Sequence, residues 1–470
     1  MNFINKENLV DKEINGDING EINGDINGEI NGDINGEING DINGGKAIDS
    51  GGFGCIFLPS LKCKNSIESS NNNFISKLML NNDSDNEYNL IQKFEKKLKS
   101  IPNYKNYFLL GDFQLCHPSQ LTSDDLINYD SKCNTLIEEG ITSSNINSKL
   151  NKIKTINMPY GGINIKKIIK DNFNSSNLIK LNNSLINLLQ NGIIPMNQRD
   201  VYHGDLKSSN MLANKLSNGN IEVKIIDWGL SFINENVQEI PKYIKRPIQF
   251  NLPVSVVVFN NSFDDKLSEF ISKNPNWSMK NSKIFTATFL NDYIKSRDNS
   301  HLSILLETIN EFNSLTNILS KQFNKNPTNY ILDYVSEVVY KYTINGVFNK
   351  LAYLNQVYLK NIDIWGFLTT YLDFYDIVNN NKKLNSQDKV FLGKIKKIFM
   401  ETLFLNSITP INVSNLINKL MDLNSSFSKI TLKIGGKRNK NDNKMKSIRK
   451  KYNKTRNNKK RKNKTRKYYN

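Results

Sequence analysis

Two short stretches of this chain carry polar side chains at spacings that could do chemistry. Residues 201–210 read VYHGDLKSSN, which places a carboxylate, an amine and an amide close together, and VKIIDWGLS ends an apolar run on Asp227. Phosphoryl transfer needs phosphates held, divalent cations placed and a carboxylate near the attacking hydroxyl. The two stretches contain side chains suited to the last two tasks, so phosphoryl transfer is the candidate chemistry.

A glycine-rich turn and an amphipathic helix precede these stretches. KAIDSGGFGCIFLPSL predicts two strands joined by a turn, where backbone N–H groups can approach a phosphate without interference from Cβ atoms. NFISKLML predicts a further strand. DNEYNLIQKFEKKLKSI predicts a helix with Leu90, Ile91, Phe94 and Leu98 on one apolar face. Glu87 lies on the same stripe, so its carboxylate is expected to point inward.

The motifs follow one another in the order found in eukaryotic-type protein kinases, and the chain resembles that family. The likeness is greatest to the divergent serine/threonine kinase-like proteins of large nucleocytoplasmic DNA viruses, through GGFGCIF, SKLM, DWG and RPIQFNLPVS. It covers about residues 46–260 and one further motif, NIDIWGFL. The resemblance implies an α+β, two-lobed kinase-like fold with a strand-rich N-lobe and a helical C-lobe. It also implies ATP and Mg²⁺ as cofactors.

The resemblance assigns an ATP-covering role to the glycine turn. Gly51, Gly52, Gly54 and Ile56 would lie over the ATP, although Asp49 stands where the kinase pattern has its first glycine.

Further ATP-binding residues follow on the next strands and the helix. Lys77 matches the lysine that holds the α and β phosphates, whereas the alternative, Lys62, follows the turn too closely to lie on a third strand. Its helix carboxylate is expected to be Glu87, with Glu95 as the alternative. Met158, near the end of KIKTINMPY, is placed in the same ATP site by the resemblance.

The loop HGDLKSSN (residues 203–210) matches the H-R-D-L-K-x-x-N pattern of kinases. Asp205 falls where the catalytic carboxylate accepts or orients the substrate hydroxyl proton, and Lys207 where a lysine neutralises the transferred phosphate. Asn210 and Asp227 fall on the two metal-binding positions, with Trp228 in place of the usual phenylalanine. His203 is expected to be a packed loop residue and not a base.

Two departures from the family pattern bear on regulation and on substrate docking. Gly204 replaces the arginine that usually pairs with a phosphate on the activation segment, and the 227–253 segment offers few acceptors, chiefly Ser231 and Tyr243. Activity is therefore expected not to depend on phosphorylation of the segment. Val254 replaces the glutamate of A-P-E, which weakens any account of peptide docking taken over from the family.

Two further local signals flank the HGDLKSSN loop. NLIKLNNSLINLLQNG predicts a helix that ends at Asn191-Gly192, and LSNGN predicts a hairpin between HGDLKSSN and DWG.

The rest of the chain is organised around this unit. NIDIWGFL predicts a buried helix in which Asp363 braces the HGDLKSSN loop, so its role is expected to be structural. The sequence predicts a disordered arm at 1–44, an N-lobe at 45–157 with an exposed insertion near 118–150, a C-lobe at 158–435 with a helical insertion near 264–360, and a disordered basic tail at 436–470.

Charge and repeats are concentrated in the two terminal segments. Between Lys437 and Lys467 there are 17 Lys or Arg against one acid, or +16 of the net charge of +18, so the remaining chain carries about +2. The tail predicts binding to nucleic acid or another acidic partner, nuclear targeting, or a solubilising role. Residues 13–44 are eight copies of (Glu/Asp)-Ile-Asn-Gly, whose glycines exclude a helix and whose spacing does not fit an EF-hand loop.

Cysteine usage and hydropathy point to an intracellular protein. The four cysteines form no C-x-x-C pair, no zinc spacing and no disulfide scaffold for a chain of 470 residues, so they are expected to be free in a reducing compartment. No apolar run reaches the roughly 18 residues of a membrane span, and no secretory signal is evident. The expected location is the host cytoplasm or nucleus, or the virion.

Three functions remain open on these residues. An ATP- and Mg²⁺-dependent serine/threonine protein kinase fits best, with protein substrates that the sequence does not identify. HGDL and IIDW also resemble small-molecule kinases of the aminoglycoside and choline group, although Lys207 and DIWGF favour a protein kinase. A catalytically dead scaffold is the third reading, because the glycine loop is altered and the loop arginine is absent.

Overall fold

The computed structural model describes residues 45–50, 54–65, 73–171, 174–236, 238–296, 300–314, 326–380 and 384–430. Over these ranges the chain is a mixed α+β protein with small antiparallel sheets and many helices, as predicted. The N-terminal arm at 1–44, the turn residues 51–53 and the basic tail at 436–470 lie outside the described residues.

One antiparallel sheet organises the strand-rich part, with the order β1-β2-β3-β5-β4. Its strands are β1 (Lys46–Ser50), β2 (Gly54–Leu58), β3 (Phe74–Leu80), β4 (Gln114–Cys116) and β5 (Ile153–Pro159). The register sets Lys77 of β3 opposite Ile56 of β2 and Ile156 of β5. A Cβ on Gly54 would lie 2.5 Å from the carbonyl oxygen of Leu78, so the close strand packing itself requires glycine there.

Helix α1 (Asn81–Leu98) follows β3 directly and carries the predicted buried stripe. Ile91, Phe94 and Leu98 are buried, while basic residues occupy the last turn, where they interact favourably with the helix dipole. Leu90, which was also expected on the buried face, is only partly buried, so the periodicity gave the orientation of the helix except at this edge position.

The segment 118–150 contributes buried side chains to a core, so the prediction that it is exposed is wrong. It forms α2 (Tyr129–Lys132) and α3 (Asn134–Glu138), and its apolar side chains join a core with the sheet. Tyr129 and Leu136 pack there with Phe57 and Leu78. Its polar residues outnumber the apolar ones and the apolar spacing is irregular, so no single period revealed the buried face.

The expectation of free cysteines is also wrong. Cys55 pairs with Cys133 and Cys63 with Cys116, with Cα–Cα distances of 4.9 and 5.7 Å. The partners are 78 and 53 residues apart, so local spacing gives no sign of them. Both bridges join β2 or the loop after it to the 114–133 region. In the described ranges, no group of three or more His, Cys, Asp or Glu side chains is arranged to hold a metal.

The helix-rich part begins with α4 (Ile165–Asp171), α5 (Ser175–Leu188) and α6 (Ile194–Asn197). The predicted helix end at Asn191-Gly192 is wrong, because a π-helical turn, Leu189–Ile193, joins α5 to α6. A Cβ on Gly192 would lie 2.9 Å from Cβ of Tyr107, so this glycine permits close packing and does not cap a helix.

Short strands connect this part to the candidate residues. They are β6 (Ile163–Asn164), β7 (Val201–Tyr202), β8 (Met211–Lys215), β9 (Ile221–Ile225) and β10 (Phe232–Ile233). The predicted hairpin at LSNGN is confirmed, since β8 pairs antiparallel with β9. This hairpin brings Asn210, before β8, close to Ile226, whose backbone N–H donates to the Asn210 carbonyl oxygen over 3.0 Å.

The range 264–360 is mainly helical where the structure describes it, as predicted. The remaining helices are α7 (Phe263–Lys273), α8 (Met279–Ser296), α9 (Ser300–Ser314), α10 (Pro327–Tyr342), α11 (Lys350–Tyr353), α12 (Leu359–Thr369), α13 (Tyr371–Asn379), α14 (Ser386–Phe399) and α15 (Val413–Phe427). A small hairpin of β11 (Thr343–Ile344) and β12 (Val347–Phe348) follows α10. Across the described parts of the chain, no helix combines the length and the apolarity of a membrane span.

The two disulfides make a testable contribution to stability. We expect the unreduced, denatured protein to show no titratable thiol. Reduction should lower the free energy of unfolding by about 2–4 kcal/mol per bridge, because each bridge restricts the unfolded chain. Denaturant unfolding with and without dithiothreitol measures the loss, and a variant with all four cysteines replaced by alanine is the control that reductant should not affect. Four titratable thiols in the unreduced protein would contradict the pairing.

Candidate active site

The carboxylate of Asp205 lies at the centre of the site and is almost completely buried. Its Oδ1 accepts a hydrogen bond from Nδ2 of Asn251 over 2.7 Å. Its Oδ2 lies 3.0 Å from Nζ of Lys207 and accepts from Nδ2 of Asn210, also at 3.0 Å. Three of the four predicted catalytic and metal-binding residues are therefore joined in one network, together with Asn251, which the sequence analysis did not identify.

The surroundings of Asp205 favour its ionised form. Burial by itself raises the pKa of this carboxyl group, but Lys207, Arg246 and the hydrogen bond from Asn251 act in the opposite direction and leave the pKa below its ordinary value. Two cationic side chains and an amide donor thus keep a buried carboxylate charged, which a proton acceptor requires.

Asp363 holds the backbone of the HGDLKSSN loop, as predicted. Its Oδ2 accepts from the backbone N–H of His203 over 3.0 Å and from Nδ2 of Asn197 over 2.7 Å, and its Oδ1 accepts from the N–H of Gly204 over 2.8 Å. Burial raises the pKa of Asp363, although His203 and these hydrogen bonds oppose the shift. The carboxylate is enclosed within the protein and braces the loop from α12.

A glycine on the same helix allows this close approach. A Cβ on Gly366 would lie 2.5 Å from the carbonyl oxygen of Leu206 and 3.2 Å from that of Asn251. Gly366 belongs to the DIWGF motif, but its role as the contact point between α12 and the loop was not identified from the sequence.

The predicted pairing of Lys77 with Glu87 is present in the structure. Nζ of Lys77 lies 2.5 Å from Oε2 of Glu87, and both side chains are partly buried. The alternative carboxylate, Glu95, instead accepts a hydrogen bond from the hydroxyl of Tyr104 over 2.9 Å. The rival lysine, Lys62, is exposed in the loop after β2.

Asn210 and Asp227 flank the β8–β9 hairpin and suit the hard cation that the resemblance implies. Nδ2 of Asn210 donates to the carbonyl oxygen and to Oδ2 of Asp205, which leaves the amide oxygen as its ligating atom. Asp227 is exposed, so its carboxylate is accessible from solvent. One carboxylate and one amide oxygen fit Mg²⁺, which typically takes few protein ligands in addition to waters and phosphate oxygens.

Aromatic rings connect α1 to the HGDLKSSN loop. Measured between ring centroids, Trp228 lies 5.2 Å from Phe94, 5.7 Å from Phe108 and 5.2 Å from the imidazole of His203. Nε2 of His203 lies 3.0 Å from the carbonyl oxygen of Ile226, so the imidazole is packed as predicted. The larger ring in DWG thus links the helix that carries Glu87 to the loop that carries Asp205.

The remaining predicted residues fall into two groups. Met158 of β5 is buried in an apolar cluster with Met79, Leu109 and Ile156, and Ile226 packs against this cluster. Gly54 and Ile56 belong to β2, whereas Gly51 and Gly52 lie outside the described residues.

The side chains that the sequence analysis missed come from the 227–253 segment. Asn251 and Arg246 both reach the HGDLKSSN loop, over separations of 46 and 42 residues along the chain. In the sequence, RPIQFNLPVS contributes only to the family likeness, and no local spacing marks either side chain as a partner of the loop. The one local signal was Asn251 itself, a polar residue between the apolar residues Phe250 and Leu252.

Comparison with protein-family models and with curated proteins finds no match to this chain.

The brace at Asp363 predicts a large effect on stability. Asp363→Asn places an amide donor against a backbone N–H that now donates to a carboxylate oxygen. We expect a loss of about 1–3 kcal/mol in the free energy of unfolding, since a buried donor loses its acceptor. Urea denaturation measures it, with Asp124→Asn on the exposed surface as the control. Equal midpoints for the two variants would show that Asp363 does not hold the loop.

Proposed function

We propose that this protein is an ATP- and Mg²⁺-dependent serine/threonine protein kinase built on a two-lobed kinase-like fold. The observation that carries the proposal is the network at Asp205, in which Lys207, Asn210 and Asn251 all contact one buried carboxylate. The ion pair of Lys77 with Glu87 lies on the strand-rich side, where the family pattern holds the ATP phosphates. A five-stranded antiparallel sheet with a helix after its third strand, followed by a helix-rich part, supports the two-lobed fold.

The proposed mechanism gives each side chain one task. Lys77, oriented by Glu87, holds the α and β phosphates, and Asp205 accepts or orients the proton of the attacking hydroxyl group. Lys207 lies next to Asp205 and neutralises the phosphoryl group in transfer. Mg²⁺, when bound by Asn210 and Asp227, would neutralise charge on the phosphates.

The 227–253 segment supports activity without phosphorylation. Ser231 is buried, and its hydroxyl donates to the carbonyl oxygen of His203 over 3.1 Å, so a kinase could not reach it without opening the site. Tyr243 stacks on Phe232 with ring centroids 6.4 Å apart. With Gly204 in the loop, no arginine at that position is present to receive a phosphate.

One observation favours the small-molecule kinase as a second candidate. The residues from Asn251 to Phe259, which include Pro253 and Val254 at the position of the family's A-P-E motif, are buried. The backbone N–H of Ile248 also donates to the hydroxyl of Tyr293 on α8 over 3.1 Å, and Phe250 stacks on His301 of α9. A covered docking segment suits a small acceptor better than an extended peptide.

Phosphoryl transfer can be measured directly on the purified full-length protein. With Mg-ATP labelled at the γ-phosphate, we expect transfer to the hydroxyl groups of basic or acidic protein acceptors. Asp205→Asn should lower the rate by about 10²–10⁴-fold through loss of the proton acceptor. Lys77→Met should lower it by about 10²–10³-fold through loss of a cationic donor to the phosphates. Lys62→Met, which alters an exposed lysine near the same sheet, is the matched control and should transfer at the wild-type rate.

The same assay decides between the functions. Equal background transfer by wild type and Asp205→Asn would exclude a kinase. Label found only on an aminoglycoside or choline would replace the protein kinase by the small-molecule kinase.

Independence from segment phosphorylation gives a separate prediction. Tyr243→Phe and phosphatase treatment should leave the transfer rate unchanged, because neither removes a contact to Asp205. Ser231→Ala should also remain active, while its stability falls by about 1 kcal/mol through the lost buried hydrogen bond. Mass spectrometry of the active protein should find Ser231 and Tyr243 unmodified. Loss of transfer after phosphatase treatment would contradict this account.

A further inference from the structure

The backbone at Gly204 disfavours an arginine side chain at this position of the loop. Its φ of 70° lies in the left-handed region that favours glycine. A Cβ there would lie 3.2 Å from the carbonyl oxygen of Leu230 and 3.5 Å from Nη2 of Arg246. Glycine in place of the arginine of the kinase pattern is therefore what the backbone conformation at position 204 favours. The guanidinium group that lies near Gly204 is that of Arg246.

Arg246 joins the 227–253 segment to the loop. Its Nη2 donates to the carbonyl oxygen of Gly204, and the residue is only 4% exposed. On either side of it, Ile244 and Ile248 are buried, and the backbone N–H of Ile248 donates to Tyr293. The backbone around Arg246 is thus held by buried flanking side chains and by a hydrogen bond to helix α8.

The guanidinium group of Arg246 is buried although most of its donors are not satisfied, which packing alone does not explain. Its Nε and Nη1 are buried and have no hydrogen-bond partner among the described residues. A buried cation with incomplete hydrogen bonding is costly, and a neutral donor could satisfy the Gly204 carbonyl without this penalty. The positive charge acts on Asp205, one residue beyond the carbonyl that Arg246 binds.

The same segment contacts Asp205 a second time. Asn251, five positions after Arg246, donates to Oδ1 of Asp205 and, over 3.2 Å, to the carbonyl oxygen of Leu206. Arg246 fixes the segment at one end of this short span and Asn251 reaches the carboxylate at the other. Movement of Arg246 would therefore displace a direct hydrogen-bond donor to Asp205.

We propose that Arg246 is a positioning residue that anchors the 227–253 segment to the HGDLKSSN loop and takes the place of segment phosphorylation. This inference rests on the proposed phosphoryl-transfer function. In the kinase pattern the loop carries the arginine and the segment carries a phosphate. Here the segment itself supplies the cation, and a backbone carbonyl of the loop receives it. The anchor is permanent and needs no modifying enzyme.

The test compares Arg246→Met with Arg246→Lys in the full-length protein, and Arg199→Met is the matched control. Arg199 is a partly buried arginine before β7 that donates to Ser100 and to the carbonyl oxygen of Pro195.

In Arg246→Met we expect kcat to fall about 10²-fold, since misplacement of a reacting group by about 1 Å has effects of this size. The KM for ATP should not change, because Lys77 and Glu87 are untouched. Arg246→Lys should recover part of kcat, because the charge returns without the planar fork.

Hydrogen exchange provides a readout that does not depend on activity. Amides 203–206 and 244–251 should exchange faster in Arg246→Met than in wild type, while those of the Arg199→Met control should match wild type. An Arg246→Met protein with wild-type kcat and wild-type exchange overturns the inference and leaves the proposed function intact.

The remaining outcomes are also decisive. If wild type transfers no phosphate to any acceptor, the proposed function fails, and unchanged exchange in Arg246→Met would additionally reject the anchor. If Arg246→Met does not fold, Arg246→Lys decides, since wild-type kcat and exchange in that variant would overturn the inference.

Discussion

The site depends on a buried carboxylate that must remain charged. Asp205 is enclosed by protein, and an isolated anion there would be neutralised or expelled. Lys207 of its own loop and Arg246 and Asn251 of the 227–253 segment compensate its charge and supply donors. The loop and the segment are consequently held together by the same electrostatic requirement. If either moved, the buried charge of Asp205 would lose groups that compensate it.

Three helices of the surrounding fold hold the loop and the segment in place. Helix α12 braces the loop backbone through Asp363 and approaches it at Gly366, where a side chain would collide with Leu206. Trp228 links the loop to α1 through Phe94, and α8 of the insertion contacts the segment through Tyr293. The insertion, for which the sequence offered no purpose, therefore supports the stretch that carries Arg246 and Asn251.

Local features could be predicted from the sequence, whereas contacts between distant segments were missed, apart from the brace of Asp363 on the loop, which the family resemblance implied. Lys77, Glu87 and the β8–β9 hairpin could be predicted because strand order, helical periodicity and turn residues are local properties. Arg246 and Asn251 could not, since their partners lie more than 40 residues away along the chain. The disulfides and the buried face of 118–150 were missed for the same reason: irregular spacing hides contacts that only the folded sheet brings together.

Binding of ATP tests the central claim most directly, because it requires the proposed phosphate and cation groups to act together whatever the acceptor. Calorimetric titration of the full-length protein with ATP should show binding in the presence of Mg²⁺ and much weaker binding in its absence. Asp227→Asn should remove this magnesium dependence, whereas Asp124→Asn on the surface should retain it. Absence of ATP binding, or binding that depends neither on Mg²⁺ nor on Asp227, would contradict the account.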